Sequence, residues 1–108
     1  MMEEELALQE VLRATASPDA PHCFQHYLYF TSSDVGDTVA AQLRERGFTV
    51  ESRPGADGVH WLVLASHFIR PERQAVEAAR MSLEQLAREH AGEYDGWEAS
   101  LATTSTPT

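Results

Sequence analysis

The chain has 108 residues, 43% of them hydrophobic and 23% charged, which suits one globular domain with one core and lies outside the composition of disordered chains. Seventeen acidic residues stand against eight basic ones, all of them Arg, for a formal net charge of -9. A field of that sign repels phosphate and offers no Lys/Arg cluster to a nucleic-acid backbone, which argues against DNA binding and for a basic protein partner.

The start, Met1-Met2-Glu3-Glu4-Glu5, is acidic where a secretory leader needs a basic segment, and no apolar run reaches the length of a membrane span, so a cytoplasmic location is expected. Residues 3 to 16 set Leu8, Val11, Leu12 and Thr15 at helical spacing behind three glutamates that suit a helix N-terminus. Ser17-Pro18-Asp19-Ala20-Pro21 breaks this helix, because proline cannot continue the hydrogen-bond ladder. From His22 to Thr31 the chain alternates, with Phe24, His26, Leu28 and Phe30 on one face and Cys23, Gln25, Tyr27 and Tyr29 on the other. Both faces are substantially apolar, as in a central strand.

Ser32-Ser33-Asp34 supplies N-cap side chains for a helix whose stripe is Val35, Val39, Ala40 and Leu43 and whose end is Gly47. Phe48 to Arg53 alternates, Pro54-Gly55-Ala56-Asp57-Gly58 turns, and Val59 to Ser66 runs apolar, which together predict a hairpin. Pro71 stands near the start of the next helix, with the stripe Val76, Ala79, Leu83, Leu86 and His90 and a stop at Gly92. Glu93 to Leu101 is the last predicted strand, and residues 102–108, rich in Thr, are expected to form a disordered tail beyond a single domain of residues 1–101. After the first helix the order is strand, helix, strand, strand, helix, strand. That is the split βαβ, ferredoxin-like α+β pattern: a four-stranded antiparallel sheet with two helices on one face, plus an extra N-terminal helix. The first and third strands fall in the centre, and the fourth at an edge.

Two aromatics around an Asp-Gly make Glu93-Tyr94-Asp95-Gly96-Trp97 the most distinctive string in the chain. Gly inside a strand marks a bulge or a close approach, and the aromatics either complete the core or anchor a partner at the edge. Tyr94, Asp95 and Trp97 are therefore candidate partner-binding residues. Tyr27, Tyr29 and Trp61 are a second candidate group, an aromatic patch on the open sheet face; such faces stack bases in RNA-recognition domains of this fold. The third strand lacks the basic neighbours of those domains, and the apolar face is expected to be covered by the N-terminal helix or by a second copy of the protein.

Five histidines raise the question of a metal. His22 and His26 share a face but lie about 13 Å apart along an extended strand, and only a pairing of His26 with His60 across neighbouring strands would remain. A buried, hydrogen-bonded His26 is the simpler reading, and no metal or cofactor is expected. Cys23 is alone, which rules out an intrachain disulfide and a multi-cysteine zinc site, and its apolar neighbours suit a structural thiol. Gly55 and Gly58 belong to a hairpin turn rather than a phosphate loop. No residue set points to an enzyme.

The chain resembles the regulator of ribonuclease activity B family, described as inhibitors of the endoribonuclease RNase E. The resemblance rests on an acidic N-terminal helix followed by Ser17-Pro18-Asp19-Ala20, on His26-Tyr27-Leu28, on Gly47-Phe48-Thr49-Val50, and most specifically on Glu93 to Trp97. It implies a ferredoxin-like fold and a non-enzymatic regulator, monomeric or homodimeric, that modulates RNA decay by binding an RNase E-type ribonuclease or another RNA-decay component. Family members from enteric bacteria carry a long acidic C-terminal tail where this sequence reads Ala102 to Thr108. The alternative is a ferredoxin-like module that binds a small molecule or RNA on the open sheet face.

Overall fold

Along the first strand every second side chain is buried, and this single row of His22, Phe24, His26, Leu28 and Phe30 organises the molecule. A computed structural model of the protein describes residues 2–14 and 20–103. Its elements are α1 (Met2–Ala14), β1 (His22–Phe30), α2 (Ser33–Glu45), β2 (Thr49–Pro54), β3 (Trp61–Ile69), α3 (Arg73–Glu89) and β4 (Glu93–Thr103). The strands form one antiparallel sheet in the order β2-β3-β1-β4, the ferredoxin-like arrangement, with β1 and β3 central. Thr15 and the Ser17 to Asp19 break lie outside the described residues, as does 104–108; β4 continues through Ala102 and Thr103, two residues into the expected tail.

Helices α2 and α3 lie on the face of β1 that carries Leu28 and Phe30. Val39, Ala40 and Leu43 of α2 and Leu83, Leu86 and Ala87 of α3 join Leu28, Phe30, Val50, Val63 and Ala65 in the larger apolar cluster. A smaller cluster of Leu8, Phe24 and Val76, with Ile69, Trp97 and Ala99 against it, sits further along the same face. Because Leu8 packs with Phe24 and Val76, α1 docks on the helix side of the sheet. The expectation that α1 covers the open face is therefore overturned: its apolar stripe is short, with Leu8 buried and Leu12 exposed, and it is spent beside α3.

Both core helices end in the same motif. At α2 the Gly47 N–H donates to Arg44 O and the Phe48 N–H to Leu43 O; at α3 the Ala91 N–H donates to Arg88 O and the Gly92 N–H to Ala87 O. The left-handed residue is Gly47 at α2 (φ 97°) but Ala91 at α3 (φ 57°). Gly92, the expected stop of α3, follows the left-handed residue and makes room for Phe30, whose ring would collide with a Cβ there. The start of α2 is capped by Ser32, whose Oγ accepts from the Val35 N–H at 3.3 Å.

Candidate functional site

Tyr94 and Trp97 are three residues apart, a spacing that puts side chains on opposite faces of a regular strand. Here they share a face. Tyr94 stands opposite Leu28, Gly96 opposite Tyr27 and Trp97 opposite His26, and the register shift between Tyr27 and Leu28 leaves Asp95 as an extra residue in β4. Gly96 sustains the bulge at φ 128°, where an added Cβ would touch nothing, so its requirement is conformational rather than steric. Both half-buried rings thus turn toward the helices: Trp97 packs on Phe24 with ring centroids 5.1 Å apart, and Tyr94 joins the larger cluster. Asp95 is exposed, with Glu93 and Glu98 on either side of it.

Behind the bulge lies a buried polar chain. His26, fully buried, has its Nδ1 2.8 Å from Tyr94 Oη and its Nε2 3.0 Å from Nε2 of His67. The two imidazole centroids are 5.0 Å apart, so the nitrogens point at one another across a single proton rather than converging on a third atom. His67 stacks on Phe48 at 4.5 Å. Burial, reinforced by the neighbouring His67 charge, pulls the His26 pKa down to about 3, and burial lowers that of His67. Both rings are neutral near pH 7, and neutrality ties the two hydrogen bonds together. If Tyr94 O–H donates to His26, then His26 donates to His67; if His67 donates to His26, then His26 donates to Tyr94. The partner of His26 is therefore His67 and not His60, which sits exposed at the β2–β3 turn with its Nδ1 2.6 Å from Asp57 Oδ2. Among the described residues no group of three or more His, Cys, Asp or Glu side chains converges as metal ligands would.

Trp61 does not join Tyr27 and Tyr29. It pairs with Phe30 in the β1–β3 register, so it faces the helices while the two tyrosines face away. Its indole lies on Gly36 of α2, where a Cβ would collide with the ring, and its Nε1–H donates to Ser52 Oγ at 2.6 Å. Ser52 in turn donates to Asp37 Oδ1 at 2.7 Å. The aromatic patch expected from Tyr27, Tyr29 and Trp61 is thus corrected to one built from the tyrosines and residues that the sequence did not single out.

On that open face Leu62 stands beside Tyr29, Leu64 beside Tyr27, and Phe68 beside Cys23. Leu62 and Leu64 are buried, whereas Phe68 is 50% exposed. Burial raises the Cys23 pKa, which keeps that thiol protonated and unreactive. Carboxylates border the apolar strip: Glu51 and Glu98 on the outer strands, and Glu93 opposite Tyr29. Tyr27 O–H donates to Glu98 Oε1 at 2.6 Å, and this bond to a carboxylate raises the Tyr27 pKa. Arg53, opposite Leu62 on this face, is paired with Glu51 at 3.0 Å. At the hairpin end Tyr29, Asp57, His60, Glu93 and Asp95 line an open recess. The backbone N–H of His60, its ring and the N–H of Val59 hold the Asp57 carboxyl well below the usual range, so Asp57 is committed to shaping its own turn.

His67 and Phe68 escaped the sequence reading because the apolar run of β3 stops at Ala65, although alternation continues through Ile69. Among the described residues no helix is long and apolar enough to cross a membrane. The family model described as Regulator of ribonuclease activity B matches residues 2–99, most of the chain. No curated protein matches it.

Proposed function

The chain belongs to the regulator of ribonuclease activity B family, and from that membership we propose that it acts without chemistry of its own, binding an RNase E-type ribonuclease or another RNA-decay protein and lowering its activity by occupying it. The family match over residues 2–99 carries this reading. The net charge of -9 supports it physically, since acidic side chains can meet basic protein surface that otherwise meets RNA. Tyr27, Tyr29 and Asp95 face outward and are the proposed contacts. Tyr94 and Trp97 support them from the helix side, where their half-buried rings leave an edge within reach of a partner. Trp61, turned away from the tyrosines, is left out. The protein works as a monomer or a homodimer, in the cytoplasm where the target resides.

The test is capture of host proteins by the purified chain, coupled to a ribonuclease assay with and without it. An RNase E-type enzyme should be recovered and slowed, and moderate salt should weaken the effect. Recovery of no such enzyme, with RNA cleavage unchanged, would sink the reading while leaving the fold untouched. A second reading, a small-molecule or RNA-binding module on the open face, draws on the absence of α1 from that face. The carboxylates of Glu51, Glu93 and Glu98 count against its RNA form, because they stand where phosphates would approach.

A further inference from the structure

Resting on the reading that the protein acts by binding another protein, we propose that the open face of its sheet is the docking surface and that it takes an arginine-bearing segment of the partner. Guanidinium groups would lie over the Tyr27 and Tyr29 rings and be met by Glu93 and Glu98.

The distribution of charge selects this face. Arg44 and Arg46 lie in and at the end of α2, Arg73, Arg80 and Arg88 in α3, Arg13 in α1, and Arg70 between β3 and α3. Among the described strand residues Arg53, opposite Leu62, is the arginine on the open face, and Glu51 pairs with it. A molecule with one carboxylate-bordered, arginine-poor face and an arginine-bearing helical side presents the former to a cation. The middle of the face adds what a bare carboxylate cluster lacks. Tyr27 and Tyr29 stand opposite the buried Leu64 and Leu62, and half-exposed Phe68 extends the strip. Guanidinium stacks on aromatic faces while bonding carboxylates at its rim, a pairing that the compact, strongly hydrated lysine ammonium makes less well.

Charge also decides against other occupants. A second copy docked face to face would set Glu51, Glu93 and Glu98 against their own counterparts, and RNA would bring phosphates onto the same carboxylates. Tyr27 is already oriented for such a contact, because its bond to Glu98 keeps the ring from swinging and keeps the carboxylate on the face.

Titration of the isotope-labelled full chain with a short Arg-Ala repeat peptide, followed by NMR, tests the proposal. Shifts should concentrate at Tyr27, Tyr29, Leu62, Leu64 and Phe68, and the citrulline counterpart, which keeps the shape and loses the charge, should bind about tenfold more weakly or worse. Tyr27→Ala with Glu98→Gln should weaken binding by a similar factor, Tyr27→Phe should retain most of it, and Glu45→Gln on α2 should change nothing; thermal melts confirm that each variant is folded. Shifts on α2 and α3 instead, equal weakening by Glu45→Gln, or tighter binding of oligouridylate to the same residues would overturn it. The ribonuclease assay separates the two levels. If the chain slows the enzyme and Tyr27→Ala with Glu98→Gln slows it equally, this face is not the dock and the regulator reading stands. If the chain never slows the enzyme yet the peptide maps to the sheet, the docking surface stands and the regulator reading falls.

Discussion

His26 Nε2 and His67 Nε2 face each other at 3.0 Å, two neutral imidazoles sharing one proton in a chain that includes Tyr94. The folded state resists a proton that the unfolded chain accepts readily, since the His26 pKa falls from 6.5 to about 3 on folding. The contribution of this ring to stability is therefore full above about pH 6.5 and is lost as pH falls toward 3, at up to about 1.4 kcal/mol per pH unit. Urea melts between pH 7.5 and 4.5 should show this loss, and His26→Gln, which keeps hydrogen-bonding capacity and does not titrate, should flatten it. Equal slopes in the two proteins would refute the assignment.

The two helix ends differ at one residue, and that difference is measurable. Gly47 and Ala91 occupy the same left-handed position, yet only glycine does so without a Cβ penalty. Ala91→Gly should raise stability by about 0.5–1 kcal/mol. Gly47→Ala should lower it by a similar amount. A destabilised Ala91→Gly variant would mean that the motif is held by something other than backbone conformation.

Gly36 and Trp61 form a tight contact between α2 and β3. Gly36→Ala should cost about 1–3 kcal/mol, since the indole must move within a packed layer and strain its bond to Ser52. In a Trp61→Val background the same change should cost little, because the colliding ring is gone. Additive losses in the double mutant would show that the contact is not the cause.

How much of this was legible in the sequence depends on whether a pattern had one reading or two. The element order and the faces of β1 were legible because its alternation from His22 to Phe30 is bounded by turn residues, and Ser32 and Gly47 mark the ends of α2. The face of Trp61 was not, because Trp61 to Ala65 is apolar on both sides and a one-residue change of register inverts every side chain. Nor was the shared face of Tyr94 and Trp97, which depends on an extra residue that no alternation announces. The placement of α1 escaped for a plainer reason: a helix with one buried leucine can dock on either side of a sheet.

Asp95 and Gly96 should differ in what their loss costs. Deleting Asp95 removes the extra residue and leaves Tyr94 and Trp97 two apart, so a regular strand keeps both rings on the helix side and the variant should stay cooperatively folded with its aromatic packing intact. Gly96→Ala keeps the residue count and should cost about 1–3 kcal/mol for a side chain held in a backbone region reserved for glycine. Near-UV circular dichroism and thermal melts distinguish the two. An Asp95 deletion that loses the near-UV signal of these rings would show that Asp95 is not the extra residue that sets their faces.

The polar pair of His26 and His67 stands where the larger apolar cluster gives way to the smaller one around Leu8, Phe24 and Val76. Such a seam stops local opening from spreading, because separating the smaller cluster strips few contacts from the larger. Amides of α1 should therefore exchange with solvent faster than those of β1 near Leu28. The N-terminal helix becomes a detachable brace, able to leave the molecule and return while the sheet keeps its shape.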